Sequence, residues 1–178
     1  VNDQAFCPLK PDDRIAQRAQ LGIAPGDKVI GTVCRLDPIK NLDFMIACMP
    51  AIVRSVPDAK LVIAGDGPER ASLIAKAASL GVSSSVSFLG LRRDTEKIMP
   101  ALDVYACTSL SEGTSMTILE AMACGCPVIT ANNSSLPEVA GDAAEYCDAN
   151  DVDSIANAMR RVLSDETLRE QMRQRGFA

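Results

Sequence analysis

Residues 104–131 read VYACTSLSEGTSMTILEAMACGCPVITA, and this stretch decides the fold. It opens with the apolar run 104–107 and closes with the apolar run 127–131, each of the length typical of a buried strand. A polar loop follows the first run and leads into residues 116–124, whose apolar side chains predict a helix. Gly125 then ends this helix. The stretch therefore predicts one strand–helix–strand unit, in which a helical crossover joins two parallel strands.

The same alternation extends to both sides of this unit. Short apolar runs predict further strands at 28–34, 61–64, 86–89 and 144–147. Longer segments predict helices at 12–21, 42–56, 73–80, 94–102, 152–163 and 167–175. The predicted caps of the last two helices are Asp151 and either Ser164 or Asp165. Strands that alternate with helices form a parallel sheet covered on both faces. With right-handed crossovers, the prediction is a doubly wound, Rossmann-like α/β domain with about six strands.

The composition is that of a globular domain. The chain has 178 residues, of which 47% are hydrophobic and 23% are charged. A single domain with its own core is therefore expected, and intrinsic disorder is excluded. No apolar run approaches the roughly 20 residues that span a bilayer. Because the first residue is Val1 rather than Met, we expect the chain to be part of a longer protein.

Charge and residue types exclude several classes of function. A net charge of −5 argues against nucleic acid as a partner, and 3% aromatic residues leave few side chains on which bases could stack. The absence of His excludes a Ser-His-Asp triad, a Cys-His dyad and a His-ligated metal within this chain.

The seven cysteines are odd in number and show no CxxC spacing. We interpret them as buried apolar side chains of a protein in a reducing compartment. A metal pair at Cys124 and Cys126 is the alternative, but it lacks a second pair at the spacing of a zinc site.

Ligands of open α/β sheets bind outside the carboxyl ends of the strands, so the loops that follow the strands are the candidates for a site. These loops are 35–41, 65–69, 90–94, 108–115 and 132–136. In the first loop, Arg35 and Lys40 lie beside a helix start, an arrangement that suits a phosphate or diphosphate. Two solvated charges near Asp37 are the alternative. Residues 65–68, Gly-Asp-Gly-Pro, match neither a dinucleotide fingerprint nor a Walker loop and are interpreted mainly as a structural turn.

The segment 111–129 carries the most information about a site. Gly113 allows a ligand to approach the backbone closely. Thr114 or Ser115 is predicted to cap the following helix, which leaves the N–H groups of residues 115–118 facing the cleft.

Two carboxylates flank this helix start. Glu112 lies in the loop, and Glu120 lies inside the helix, with a side chain tilted back toward the same cleft. The spacing predicts two carboxylates on either side of one anion site. A Glu112 on the open surface and a Glu120 paired to a neighbour are the alternative.

In this order, the motifs resemble the carboxyl-terminal nucleotide-sugar-binding domain of the retaining GT-B glycosyltransferases, in the glycosyl transferases group 1 family (family 4). The resemblance runs nearly from end to end. Beyond Arg35 and Lys40, the resemblance rests on these features: a hinge-like start over residues 1–8, the turn at 62–68, Phe88-Leu89-Gly90, the E-x7-E spacing of Glu112 and Glu120 with its continuation to Val128, and Pro137-Glu138.

The resemblance implies a binding site for a nucleotide diphosphate sugar, which is the donor substrate, with no cofactor and no metal. The implied donor-binding residues are Arg35, Lys40, Gly65, Gly67, Leu89, Gly90, Glu112, Gly113, Thr114, Ser115, Met116, Thr117 and Glu120. Arg35 and Lys40 would hold the diphosphate, Glu120 the ribose, and Glu112 the hydroxyls of the sugar. The implied catalytic residues are Glu112, Arg35 and Lys40, since cations at a helix start neutralise a leaving diphosphate.

The resemblance also implies a division of labour between domains. Residues 1–178 would be the donor-binding domain, with 1–22 as a hinge and leading segment, and the amino-terminal acceptor domain would be missing from this chain. The whole enzyme would transfer a sugar with retention of configuration, and this chain alone is expected to be inactive. We expect the protein to be cytoplasmic. Any contact with the inner face of the membrane is expected only through the missing part. A non-catalytic nucleotide-binding module and a related GT-B nucleotide-sugar epimerase are the alternatives.

Two departures from the family pattern bear on the donor sugar. Cys34 stands where many relatives have Gly, and Thr114-Ser115 stands where many have Phe-Gly. We expect the side chain of Ser115 to narrow the sugar pocket.

Overall fold

The computed structural model describes residue 2 and residues 4–177. Val1 and Asp3, which belong to the predicted hinge segment, lie outside the described residues. The strands are β1 (Lys28–Val33), β2 (Ala59–Ala64), β3 (Val86–Gly90), β4 (Val104–Cys107), β5 (Val128–Ala131) and β6 (Ala144–Cys147). The helices are α1 (Pro11–Gln20), α2 (Leu42–Ser55), α3 (Arg70–Ser79), α4 (Thr95–Ile98), α5 (Met116–Ala123), α6 (Leu136–Ala140), α7 (Val152–Ser164) and α8 (Glu166–Gly176).

The six strands form one sheet in the order β3-β2-β1-β4-β5-β6, and every neighbouring pair is parallel. The chain builds the sheet outward from β1 to one edge and then from β4 to the other edge. The strand order therefore reverses between β1 and β4. This topology confirms the predicted doubly wound, Rossmann-like α/β fold. It also places a crevice at the carboxyl ends of β1 and β4, where ligands bind in open sheets of this kind.

Alternating residues of the strands supply two separate cores, one on each face of the sheet. Ile30, Ile63 and Ala106 pack with apolar side chains of α2, α3 and α7 on one face. Val29 and Tyr105 pack with apolar side chains of α5 and α6 on the other face. Successive side chains of a strand point to opposite faces of the sheet, and both faces are buried here. Each strand therefore needs a nearly continuous apolar run.

The structure corrects the predicted helix at 94–102. Only Thr95–Ile98 is α-helical, and Met99–Ala101 forms a 3₁₀ turn. Pro100 has no N–H to donate and its ring disfavours a continuing α-helix, which accounts for the change. The short helix α6 was not predicted at all, because five residues are too few to show a helical period.

Local details of the chain agree with the sequence. The carboxylates of Asp151 and Asp165 accept hydrogen bonds from the N–H groups of Asp153 and Leu168, each at 2.9 Å, and so cap α7 and α8 as predicted. All seven cysteines are free, and five of them are buried; Cys34 is half-buried and Cys7 is exposed. Within the described part of the chain, no helix has both the length and the apolar character to cross a bilayer.

Asp103 anchors α1 to the amino-terminal edge of the sheet. Its carboxylate accepts hydrogen bonds from the guanidinium groups of Arg14 at 2.8 Å and Arg18 at 2.6 Å, and from the N–H of Val29 at 2.7 Å. Burial raises the pKa of Asp103, but the hydrogen bonds from Val29 and Arg14 and the charge of Arg18 outweigh it. The pKa is therefore lower in the folded chain than its ordinary value, so the ionised form stabilises the fold.

We predict that Asp103→Asn lowers the free energy of unfolding by roughly 3 kcal/mol, because it leaves largely buried guanidinium groups without their charge partner. Denaturant unfolding at pH 7 measures the change. Because the pKa of Asp103 is lowered on folding, its contribution is present above the ordinary value of about 3.9 and is lost as the pH falls below it. The difference in the free energy of unfolding between the unaltered chain and Asp103→Asn should therefore disappear at acidic pH.

The matched control is Glu170→Gln, which breaks an exposed pair with Arg173 at 3.0 Å and is expected to change stability by less than about 1 kcal/mol. Equal losses in the two variants would contradict the role assigned to Asp103.

Candidate functional site

The loops after β1, β2 and β3 are hydrogen-bonded to one another at the carboxyl edge of the sheet. The N–H of Leu36 donates to the carbonyl of Asp66 at 2.9 Å, and the N–H of Glu69 donates back to the carbonyl of Leu36 at 3.0 Å. The N–H of Gly65 donates to the carbonyl of Gly90 at 2.8 Å. Hydrogen bonds therefore join three loops that are distant in the sequence into one floor beneath the crevice.

Two glycines make this contact between loops possible. Gly65 has a φ of +145°, and a Cβ at this position would lie 1.8 Å from the carbonyl oxygen of Cys34. A Cβ on Gly67 would lie 2.7 Å from the carbonyl oxygen of Leu36. Both distances are far shorter than carbon–oxygen contact allows, so only glycine fits. The 65–68 turn is thus a structural device, as its sequence indicated, and it also lines the crevice.

The crevice holds two adjoining cavities. The wide cavity has a volume of about 800 Å³ and is lined by Val33, Cys34, Arg35, Ala64, Gly65, Asp66, Gly67, Pro68, Leu91, Arg92 and Thr117. The narrow cavity has a volume of about 180 Å³ and is lined by Thr32, Val33, Cys34, Lys40, Tyr105, Cys107, Thr108, Ser109, Glu112, Thr114, Ser115, Met116 and Thr117. Val33, Cys34 and Thr117 line both cavities. The wide cavity has room for a large part of a nucleotide, and the narrow one is rich in hydroxyl groups.

Lys40 and Glu112 meet in the narrow cavity. The Lys40 ammonium lies 2.6 Å from Glu112 Oε1, and the two side chains are only 22% and 16% exposed. The hydroxyl of Ser109 donates to the same oxygen at 2.7 Å. Burial lowers the pKa of Lys40, but the hydrogen bond and the charge of Glu112 together raise it above its ordinary value. Lys40 therefore stays cationic at neutral pH, and Glu112 is not a solvated surface side chain.

Arg35 lies at the edge of the wide cavity and is 70% exposed. Its Nε lies 2.7 Å from Asp37 Oδ2, which is the arrangement that the alternative interpretation of this loop described. An exposed pair of this kind contributes little to stability, about 0–1 kcal/mol. The guanidinium is therefore able to leave Asp37 at small cost, and the role of Arg35 toward a diphosphate stays a prediction.

The start of α5 faces the narrow cavity and corrects one prediction. Ser115 occupies the N-cap position, but its hydroxyl lies 3.3 Å from that of Thr117 and caps no N–H group. The N–H of Met116 donates to the carbonyl of Thr114 at 3.1 Å. Of the four N–H groups predicted to be free, those of Ser115, Thr117 and Ile118 have no acceptor in the described structure. A helix start with three unpaired donors is a favourable place for an anion.

Glu120 lies one turn further along α5 than Thr117 and so shares its face of the helix. It is half-buried, and burial raises the pKa of its carboxyl group. Among the residues that the structure describes, its side chain has no ion-pair or hydrogen-bond partner. Glu120 lines neither cavity, and its predicted contact with a ribose stays untested.

The remaining predicted residues lie around the same edge. Leu89 is half-buried against the core, and Gly90 ends β3 with a φ of +71°. Leu91 and Arg92, rather than Leu89 and Gly90, line the wide cavity. Gly113 lies in an open loop, where a Cβ would meet nothing within 4 Å.

Several residues of the crevice were missed by the sequence analysis. Thr108 is buried, and its hydroxyl has no hydrogen-bond partner among the described residues, although it lines the narrow cavity. Arg92 pairs with Asp94 through two contacts, at 2.8 and 2.7 Å. These residues directly follow β4 and β3, so their position after a strand was the available signal.

The described residues contain no cluster of side chains that could bind a metal ion. Across residue 2 and residues 4–177, no three or more His, Cys, Asp or Glu side chains are arranged to hold a metal ion. Metal independence itself stays a prediction.

Comparison with known proteins agrees with the fold. Residues 13–178 match the family described as Glycosyl transferases group 1. The chain is 32% identical over its full length to 49% of the GDP-mannose-dependent monoacylated alpha-(1-6)-phosphatidylinositol monomannoside mannosyltransferase of Corynebacterium glutamicum. The chain thus spans about half the length of this curated relative.

Two solved structures have nearly the same fold. With a TM-score of 0.88 and 26% identity, 99% of the chain superposes on 50% of Anabaena Alr3699/HepE, which was crystallised with UDP and glucose. With a TM-score of 0.87 and 27% identity, 99% of the chain superposes on 94% of the C-terminal domain of the glycosyl transferase group 1 family protein LpcC from Francisella tularensis.

We predict that Gly65→Ala lowers the free energy of unfolding by about 3 kcal/mol, because the new methyl group overlaps the backbone of Cys34 and the φ angle disfavours any side chain. Gly113→Ala is the matched control in the same crevice and is expected to change stability by no more than about 0.5 kcal/mol. Urea unfolding of both variants measures the difference. A Gly65→Ala protein as stable as Gly113→Ala would contradict the interlocked floor.

Proposed function

Because the chain belongs to the glycosyl transferases group 1 family, we propose that it binds the nucleotide diphosphate sugar donor of a glycosyltransferase. The observation that carries the proposal is the half-buried pair of Lys40 and Glu112 beside the unpaired N–H groups at the start of α5. A cation and a helix start bind phosphate, and a carboxylate next to them binds sugar hydroxyls.

The proposed pose follows from the two cavities. The nucleoside lies in the wide cavity, over the floor formed by the 65–68 turn, with Leu91 and Arg92 toward the base. The diphosphate lies between Arg35, Lys40 and the start of α5. The sugar enters the narrow cavity, where Glu112 and the unpaired hydroxyl of Thr108 accept and donate hydrogen bonds to its hydroxyl groups.

The proposed chemistry is transfer of the sugar away from the diphosphate. Negative charge develops on the diphosphate as the bond to the sugar breaks, and Lys40, Arg35 and the N–H groups of α5 stabilise that charge. Retention of configuration and independence of metal are parts of the same proposal. They are supported by the E-x7-E spacing of Glu112 and Glu120 and by the cations that already face the crevice.

The acceptor is proposed to bind to a second domain, outside this chain, and transfer is proposed to need both. The nucleotides named with the relatives differ: the Corynebacterium enzyme is GDP-mannose-dependent, and the Anabaena protein was crystallised with UDP and glucose. We propose a cytoplasmic protein that contacts the membrane only through the part outside this chain, with no nucleic acid as partner. No finding on this chain favours the non-catalytic module or the epimerase.

We predict that Lys40→Ala and Arg35→Ala each weaken binding of a nucleoside diphosphate by about 10- to 150-fold, since each removes a charge-assisted contact worth roughly 1.5–3 kcal/mol. Binding of the nucleoside alone should change by less than about 3-fold. Calorimetric titrations with UDP, GDP, uridine and guanosine, each run with and without EDTA, measure both effects.

The control for this series is Lys76→Ala, which removes a surface cation paired with Asp43 at 3.3 Å, outside both cavities. It should leave all affinities unchanged. Equal losses for nucleoside and diphosphate in the Lys40 variant would contradict the assignment. Binding that EDTA abolishes and Mg²⁺ or Mn²⁺ restores would contradict metal independence.

We predict that substitutions of the two glutamates weaken the binding of different ligands. Glu120→Gln should weaken the bare diphosphate and its sugar conjugate by similar factors, since every donor nucleotide carries a ribose. Glu112→Gln should weaken only the conjugate, by about 10-fold or more. The titrations are accompanied by thermal melts. The assignment fails if Glu112→Gln weakens UDP or GDP as much as Glu120→Gln does.

A further inference from the structure

The loop that carries Glu112 is held from behind by the segment that follows β5. We name residues 109–114 the glutamate loop and residues 132–135 the buttress. The side-chain amide of Asn133 donates to the carbonyl of Ser109 at 3.2 Å. Ser134 has a φ of +52°, a conformation that is uncommon for residues other than glycine, and it turns the chain so that Ser135 faces the glutamate loop.

Ser135 contacts two successive carbonyl groups of the glutamate loop. Its hydroxyl lies 3.2 Å from the carbonyl oxygen of Glu112 and is also hydrogen-bonded to the carbonyl oxygen of Gly113. One hydroxyl hydrogen shared between two acceptors is a bifurcated hydrogen bond. Both peptide groups are therefore oriented by one side chain.

The orientation of these peptides fixes the direction of the next two N–H groups. In a planar trans peptide, the N–H points opposite to the carbonyl of the preceding residue. The N–H groups of Gly113 and Thr114 consequently point away from Ser135, and neither has an acceptor within the described structure. Ser135 lines neither cavity, whereas Glu112 and Thr114 line the narrow one. Both donors thus point away from the buttress, and Thr114 lies in the lining of the narrow cavity.

The carboxylate of Glu112 is aimed by the same loop. Oε1 accepts from Ser109 at 2.7 Å and from Lys40 at 2.6 Å, and Ser109 is itself buried and tied through its carbonyl to Asn133. The second oxygen of Glu112 forms no hydrogen bond with the residues described and remains available to a ligand.

We propose that Ser135 is a positioning residue for the sugar half of the donor, which it serves by turning the N–H groups of Gly113 and Thr114 toward the narrow cavity beside Glu112. The inference rests on the proposed function, because it assigns these donors to the sugar of a nucleotide sugar. It goes beyond that function because Ser135 touches no ligand and lies in a different loop.

The test compares Ser135→Ala and Ser135→Thr with the unaltered chain, using UDP, UDP-glucose, GDP and GDP-mannose in calorimetric titrations. Ser135→Ala should weaken the sugar nucleotide by about 3- to 12-fold, the effect of one lost hydrogen bond, and leave the bare diphosphate within about 2-fold. Ser135→Thr keeps the hydroxyl and should restore the affinity. Ser135→Cys, a weaker donor of similar size, replaces the alanine variant if that variant unfolds.

Ser111→Ala is the matched control, because the Ser111 hydroxyl also joins the two segments, 3.3 Å from that of Ser134, but is exposed. It should change neither affinity. Equal weakening of diphosphate and conjugate by Ser135→Ala, or no weakening of either, would overturn the positioning role. Failure of the unaltered chain to bind any of the four compounds would instead overturn the proposed function itself, and the inference with it.

Discussion

The close contact between the loops after β1 and β2 is the constraint on which the site depends. The carbonyl oxygen of Cys34 occupies the space that a side chain would need at Gly65, and Leu36 exchanges two hydrogen bonds with the turn that follows. Arg35 and Lys40 lie on the loop after β1, which these contacts hold in place. The 65–68 turn after β2 lines the wide cavity. A rigid floor of this kind presents charged groups at fixed positions, so little ordering is needed when an anion binds.

The two cations of the loop after β1 are each paired with a carboxylate. Lys40 is paired with Glu112, and Arg35 with Asp37. These two pairs differ in what they permit. The exposed pair of Arg35 is weak and easily exchanged for a phosphate, whereas the half-buried Lys40 has three N–H donors and is able to hold Glu112 and a phosphate oxygen together. The unpaired N–H groups at the start of α5 add positive potential without a counter-charge. In the proposed pose, a diphosphate therefore meets one exposed cation and one partly buried cation.

The parts that could be predicted from the sequence are those that repeat a period or follow a strand. The runs around Ile30, Val62 and Ile129 are apolar throughout because the sheet is buried on both faces, and they identified the doubly wound fold. Lys40 and Glu112 were found because both lie just beyond strand ends. What escaped prediction depends on contacts between distant segments. Asp103 binds Arg14 and Arg18 from more than 80 positions away, and Ser135 orients a loop 22 positions earlier. The hydroxyl of Ser115, expected to cap α5, pairs with Thr117 instead.

The central claim, that a nucleotide diphosphate binds at the carboxyl edge of the sheet, is tested most directly by mapping amide chemical shifts of the 178-residue chain during titration with UDP or GDP. The account predicts the largest changes at Lys40, Gly67 and the amides of residues 113–118, with no change at the amino-terminal edge. That edge holds a separate cavity of about 470 Å³ lined in part by Gly22, Lys60 and Ser85. Shifts confined to this second cavity, with the start of α5 unaffected, would contradict the account.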